Sequence, residues 1–328
     1  MGTILPINGI PTFDVLVARR QEEAEGIVSL ELRATAEECL PRFTAGAHIE
    51  VHVPTQQGVL QRHYSLANDP SEQHRYVVAV GLDPASRGGS QWIHEHLREG
   101  QVLRVGNPRN NFPLTEDATR SVMIAGGIGI TPLLAMARRL TTLNRDWSMY
   151  YCAQTPARAA FLQDLLKLGG TVVPIFDAMP GVARLNLHAL VENTAIDTHL
   201  YCCGPSSLIQ SFLEATRNRD KRTVHVEWFS APPEQPIGTG ANSAFTVHLM
   251  RSNLTLQVGS DQSILEVVRA AGLDIPYSCM EGICGSCETK VISGECDHRD
   301  LILADHACHK SMMICVSRSK GDSITLDL

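Results

Sequence analysis

Up to about residue 113, apolar and polar side chains alternate in short runs, among them Phe13-Asp14-Val15-Leu16-Val17, Ile27-Val28-Ser29-Leu30-Glu31-Leu32, His48-Ile49-Glu50-Val51-His52-Val53 and Arg75-Tyr76-Val77-Val78-Ala79-Val80. A period of two, punctuated by Pro and Gly, predicts a small antiparallel β-barrel. From about 114 to 230 the pattern changes. Apolar runs such as Ser121-Val122-Met123-Ile124-Ala125 alternate with helix-spaced stretches, in which Leu133, Met136, Ala137 and Leu140 share one face. That alternation predicts an α/β domain with a parallel sheet. Residues 231–243, rich in Pro and Gly, read as a linker. Beyond them Phe245-Thr246-Val247-His248-Leu249 and Leu254-Thr255-Leu256-Gln257-Val258 form a hairpin pattern, followed by a helix over 263–271 with Ser263 or Asp261 as its cap and Gly272 past its end. The expectation is a multidomain chain: a barrel over 1–113, an α/β domain over 114–230, and a small α+β fold over 244–328.

Composition narrows the setting. The chain has 328 residues, 44% hydrophobic and 19% charged, as in a soluble globular protein of two or three domains. The start, Met1-Gly2-Thr3-Ile4-Leu5-Pro6, lacks the basic and apolar parts of an export signal, and Pro6 breaks the myristoylation pattern. No apolar stretch reaches bilayer length, so a cytoplasmic protein with reduced thiols is expected. Of the ten cysteines, Cys39, Cys152 and Cys202 read as buried apolar fillers. Net charge is −7, which argues against nucleic acid as a partner. Residues 244–328 carry seven basic and eleven acidic side chains. That bias suits docking to another protein or a plain solvated surface.

The C-terminal segment carries the most specific chemistry. Cys279, Cys284 and Cys287, spaced Cys-x4-Cys-x2-Cys, with a distant fourth thiolate, match the ligand spacing of a plant-type [2Fe–2S] cluster. Gly282 and Gly285 stand where a loop must wrap the cluster and turn amides toward sulfur. Cys296, Cys308 and Cys315 compete for fourth ligand. Cys315 is chosen, because Met312-Met313-Ile314-Cys315-Val316-Ser317 reads as an apolar strand, whereas Cys308 lies in a polar stretch and Cys296 follows a Gly-Glu turn. A zinc site using His306, Cys308 and His309 is the rival, although structural zinc favours two close ligand pairs.

Two other regions suit anionic ligands. On a strand Arg62 and Tyr64 point to one side, and Ser65 adds a hydroxyl at the end. Ser86-Arg87-Gly88-Gly89-Ser90 precedes a helix-like stretch and offers free amides to a phosphate. Gly126-Gly127-Ile128-Gly129-Ile130-Thr131-Pro132 links a buried strand to a helix, as a dinucleotide site requires, with Thr131 able to cap and Pro132 in the first turn. His199-Leu200-Tyr201-Cys202-Cys203-Gly204-Pro205 reads as a second strand ending beside that loop, which brings Cys203 near Gly127; a plain buried thiol is the alternative for Cys203.

With Arg62-His63-Tyr64-Ser65-Leu66, Arg87-Gly88-Gly89-Ser90, the Gly126 to Pro132 turn, Tyr201-Cys202-Cys203-Gly204-Pro205, the cluster cysteines, Asp297-His298-Arg299-Asp300 and Cys315-Val316-Ser317-Arg318 in view, the chain resembles the phthalate dioxygenase reductases. That group also serves vanillate demethylases and similar Rieske oxygenases, and the resemblance covers nearly the whole chain. It implies a flavin barrel, a nicotinamide domain and a β-grasp ferredoxin domain, in that order. It implies FMN, with Arg62 and the Gly88-Gly89-Ser90 turn near the phosphate, Tyr64 beside the isoalloxazine, Ser65 near N5, and His63, Ala79 and Val80 in the same site. Gly126, Gly127, Gly129, Thr131, Cys203, Gly204 and Pro205 are expected around the nicotinamide nucleotide, and Phe229 over the flavin.

NADH is expected over NADPH, since Ala153-Gln154-Thr155-Pro156-Ala157-Arg158 offers one Arg for a 2′-phosphate, while Asp177 helps hold the adenosine. The implied role is an NADH-dependent reductase. It passes hydride to FMN and single electrons through the cluster to a Rieske non-haem iron oxygenase, as a monomer in transient contact. A cytochrome P450 acceptor and a redox sensor are the alternatives.

Overall fold

The computed structural model describes residues 11–36, 39–55, 58–83, 88–232, 242–303, 308 and 310–328. Ser86, Arg87, His306, His309 and most of the expected linker lie outside the described residues.

Strands β1 (Thr12–Ala24), β2 (Ile27–Ala34), β3 (His48–Thr55), β4 (Gly58–Ser65) and β5 (Tyr76–Gly81) are followed by helix α1 (Gly89–His96) and strand β6 (Val102–Gly106). The six strands pair antiparallel in the order β4-β3-β6-β1-β2-β5. A bridge between Leu66 and Val78 joins the two ends into the expected barrel, which leaves no long free edge. Val15, Leu30, Ile49, Val51 and Val105 meet inside, the inward half of each alternating run. Strand β6 escapes the sequence reading, yet it lies between β3 and β1.

Strand β7 (Arg120–Gly126), helix α2 (Ile130–Thr142), β8 (Asp146–Ala153), α3 (Leu162–Leu166), β9 (Thr171–Phe176), α4 (Leu187–Glu192), β10 (His199–Gly204), α5 (Ser206–Ala215) and β11 (Val224–Trp228) follow. The five strands are parallel in the order β11-β10-β7-β8-β9. Strand order therefore reverses between β7 and β10, where a crevice opens at the carboxyl ends. Ile27, Ala67 and Ala79 from the barrel share one buried cluster with Met123, Leu133 and Met136, and Arg138 donates to the Ala67 carbonyl at 3.2 Å. Thr12–Phe229 accordingly packs as one compact unit.

Ser230–Leu328 belongs to a second unit. It holds β12 (Phe245–Leu249), β13 (Leu254–Val258), α6 (Ile264–Ala270), β14 (Glu288–Ser293), β15 (Cys296–Asp297), β16 (Ser311–Met313), β17 (Arg318–Ser319) and β18 (Ser323–Leu326). Its mixed sheet runs β13-β12-β18-β14-β16, with β12 and β18 parallel and the other neighbours antiparallel, while β15 and β17 form a separate pair. Ser263, not Asp261, caps α6, in a box completed by Glu266. Ile264, Leu265 and Val268 press that helix onto Phe245, Val247 and Ile324, the α+β arrangement expected of a β-grasp ferredoxin domain. One strand expectation falls short: β16 ends at Met313, and Cys315 occupies the turn after it. Cys39 is exposed, Cys152 half-buried and Cys202 buried; as a loop residue Cys39 has no core to fill.

Candidate functional site

The crevice is built by close backbone approach. A Cβ on Gly129 would stand 2.3 Å from the Cys203 carbonyl oxygen, so only glycine lets the turn after β7 press against the end of β10. Gly126 and Gly204 meet one another in the same way, and Pro205 closes on Gly126. Gly127, by contrast, has φ +53° and open space where a side chain would be. A 3-10 turn over Gly127–Gly129 precedes α2, whose N-cap is Gly129. Thr131 is therefore inside the helix and does not cap it. Its buried hydroxyl donates back to the Ile128 carbonyl at 3.0 Å, because the 3-10 turn has moved the cap two residues toward the N-terminus, to Gly129. Pro132 does lie in the first turn. Asp177 follows β9, exposed, with its carboxylate 3.7 Å from Arg184.

Cys203 is fully buried and pairs in register with Glu227 on β11. Burial, with Glu227 adding to it, pushes the Cys203 thiol well above its ordinary value, so it stays neutral. Glu227 is the residue that sequence reasoning missed. Its half-buried carboxyl is pushed up to about 8 by burial, against the hydrogen bond from Ser65 and the charge of His63. Ser65 Oγ donates to Glu227 Oε2 at 3.4 Å. The end of barrel strand β4 thus meets the carboxyl edge of the parallel sheet. Phe229, just beyond β11, is 40% exposed, a large ring available to cover a ligand.

The barrel side has the features of a flavin-phosphate cradle. Gly88 caps α1 at φ +96°, and a Cβ on Gly89 would stand 2.8 Å from Arg62 Nε, so the guanidinium lies across the helix start. Backbone amides at a helix start with a guanidinium held across them fit a phosphate. Ser90 accepts from the Asp83 amide at 3.3 Å. Tyr64 packs against the barrel core, and burial pushes its phenol up to about 12. Ala79 and Val80 are buried on β5, with the Val80 carbonyl bonded to His94 at 2.9 Å. The His63 side chain is turned to Glu50 and Arg109.

In the second unit the four chosen cysteines come together as two pairs. The free thiol of Cys279 lies within hydrogen-bond reach of Cys284, and that of Cys287 within reach of Cys315. Among the described residues no three His, Cys, Asp or Glu side chains converge on one ion; two pairs are what two irons, each with two thiolates, would take. The loop turns its amides inward: Glu281 N donates to Cys279 Sγ at 3.3 Å, and the Gly282 amide donates to Cys315. At φ +72°, a Cβ on Gly282 would stand 2.7 Å from Val316. Neighbouring thiols split in acidity: each acts on the other so that Cys287 is lowered and Cys315 raised. The residues present fit a [2Fe–2S] cluster.

Comparison with known proteins agrees with this geometry. The 2Fe-2S iron-sulfur cluster binding domain family matches residues 247–320. The chain is 43% identical over 307 residues to phenoxybenzoate dioxygenase subunit beta of Ectopseudomonas oleovorans, covering 93% of this chain and 94% of that one. It is similar to the solved phthalate dioxygenase reductase, described as a modular structure for electron transfer from pyridine nucleotides to [2Fe–2S], with TM-score 0.70, 38% identity, and 97% and 98% of the two chains covered. An intact type IV self-sufficient cytochrome P450 monooxygenase matches with TM-score 0.89 and 39% identity, over 97% of this chain and 41% of that one.

Proposed function

The chain belongs to the phthalate dioxygenase reductase family, oxidoreductases that carry electrons from NADH through FMN and a [2Fe–2S] cluster to an oxygenase, and we propose that its own acceptor is a Rieske non-haem iron oxygenase met in transient encounters. The observation that carries the site reading is the meeting of Ser65 with Glu227 beside Cys203. A hydroxyl from the barrel and the strand ends of the nucleotide-type sheet converge there. Bound flavin supplies the conversion between a two-electron hydride donor and a one-electron acceptor.

The residues divide the remaining work. Arg62 and the α1 start, Gly88, Gly89 and Ser90, hold the FMN phosphate; Tyr64 supports the ring, with Ala79 and Val80 as the wall and His63 behind it. Ser65 hydrogen-bonds the reacting edge. The turn through Gly126, Gly127 and Gly129, with Gly204 and Pro205, receives the pyrophosphate, and Asp177 accepts from the adenosine end. Thr131 and the neutral Cys203 shape the nicotinamide pocket without taking charge. Phe229 covers the ring until nicotinamide enters. Cys279, Cys284, Cys287 and Cys315 are the cluster ligands. The working segments are 1–113, 114–230 and 244–328, joined through 231–243, in a monomer of the cytoplasm. No helix of the described residues is long and apolar enough to cross a membrane.

The likeness to a self-sufficient P450 favours a second reading, in which the acceptor is a cytochrome P450. NADH consumption with a purified Rieske oxygenase and with a purified P450, each given its substrate, separates the two: substrate-dependent stimulation by the Rieske protein alone is expected, and stimulation by the P450 alone overturns the first reading. Cys284→Ala is expected to abolish cytochrome c reduction while NADH still bleaches the flavin. Retained cytochrome c reduction would contradict the ligand assignment, and loss of both would mean that the flavin and cluster domains are not separable as drawn.

A further inference from the structure

Behind the Arg62 and Tyr64 face of β4 lies a buried ionic cluster around His63, and its other members, Glu50, His52 and Arg109, have no part in the roles above. Glu50, only 2% exposed, stands opposite His63 across the β3 and β4 pairing. Its Oε1 takes His52 Nε2 at 2.8 Å, and its Oε2 lies 3.3 Å from His63 Nε2 and 3.7 Å from Arg109 Nη2. Arg109 Nη2 is also 3.0 Å from that same His63 Nε2. A guanidinium can only donate and a carboxylate only accept, so one ring nitrogen faces a donor and an acceptor at once. With a lone pair on Nε2 the ring accepts from Arg109. With a proton there it donates to Glu50, and the guanidinium must give way.

His63 and Ser65, two apart on β4, project from the same face of the strand, and Ser65 donates to Glu227, whose ionised form the charge of His63 favours. We propose that His63 is a positioning residue of the hydride-accepting site: by taking either Arg109 or Glu50 it sets the charge on the Ser65 and Glu227 pair. A proton on His63 then disfavours a proton on Glu227, and the reverse. The inference rests on the reading above for what Ser65 and Glu227 do. Among the described residues, the charged and titratable groups around His63 include Glu50, His52 and His48 from β3, the last with its ring 5.0 Å away, Arg109 from the segment after β6, and Glu227 from β11.

Proton NMR titration of the flavin-free full chain tests this, with the His63 signal assigned by its loss in His63→Gln. Opposite charges at this range move an imidazole midpoint by about one pH unit or more. Glu50→Gln and Glu227→Gln are expected to lower the midpoint, and Arg109→Gln to raise it. In the flavin-loaded protein, His63→Gln is expected to flatten the pH profile of kcat/KM for NADH. An unmoved midpoint in the three charge variants, or the same direction for Glu50→Gln and Arg109→Gln, overturns the proposal; so does an unmoved midpoint in Glu227→Gln alone. Failure of the family reading would look different: no flavin bleaching by NADH at any pH, with the titration shifts intact.

Discussion

Burial at Glu227 sets stability against function in a way that can be measured. The folded carboxyl keeps its proton up to about 8, whereas an unfolded chain releases it near the ordinary value of 4.5. Between those values the native state binds the extra proton, so this group makes stability fall as pH rises. Glu227→Gln, neutral throughout, is expected to be more stable than the parent at the upper end of that window and to lose the slope, as read by urea denaturation across it. A variant less stable there than the parent would contradict the assignment. Ser65 and Cys203 were legible because each sits in a local motif. Glu227 was not: nothing in Glu227-Trp228-Phe229 marks a carboxylate that only the pairing of β10 with β11 sets beside Cys203. Its bond to Ser65 spans 162 positions of sequence, beyond the reach of any local pattern.

The element that decides the crevice is the turn between β7 and α2. Gly129→Ala drives a methyl into the Cys203 carbonyl oxygen, and overpacking of this kind costs about 2 kcal/mol or more. Gly127→Ala meets open space and bears only its positive φ, about 1 kcal/mol. Urea midpoints are expected to fall further for Gly129→Ala; the opposite order would contradict the close approach. Most elements were readable from period, including α1, α2, the β12 and β13 hairpin and the capped α6. Strand β6 was missed because Val102-Leu103-Arg104-Val105-Gly106 is short and carries no turn signal of its own, although its neighbours in the closed barrel require it. The capping role expected of Thr131 failed because the tight turn starts the helix at Ile130, and Cys315 lies outside its expected strand because β16 ends at Met313 and a turn follows.

For the whole molecule, composition and motif order conveyed the electron route better than they conveyed packing. The cluster spacing was visible in Cys279 to Cys287 alone, and the structure adds the pairing Cys279 with Cys284 and Cys287 with Cys315. Continuity of one core through the barrel and the parallel sheet could not be read from periodicity, which distinguishes elements but not which cores merge. The central claim is that electrons from NADH reach the iron–sulfur centre only by way of the flavin. Anaerobic mixing of the full chain with NADH, followed by visible absorbance and electron paramagnetic resonance, tests it most directly. Flavin-loaded protein is expected to lose its flavin bands and then develop the signal of a reduced [2Fe–2S] cluster, while protein stripped of flavin develops none. A cluster reduced equally well without flavin, or never reduced with it, would contradict the account.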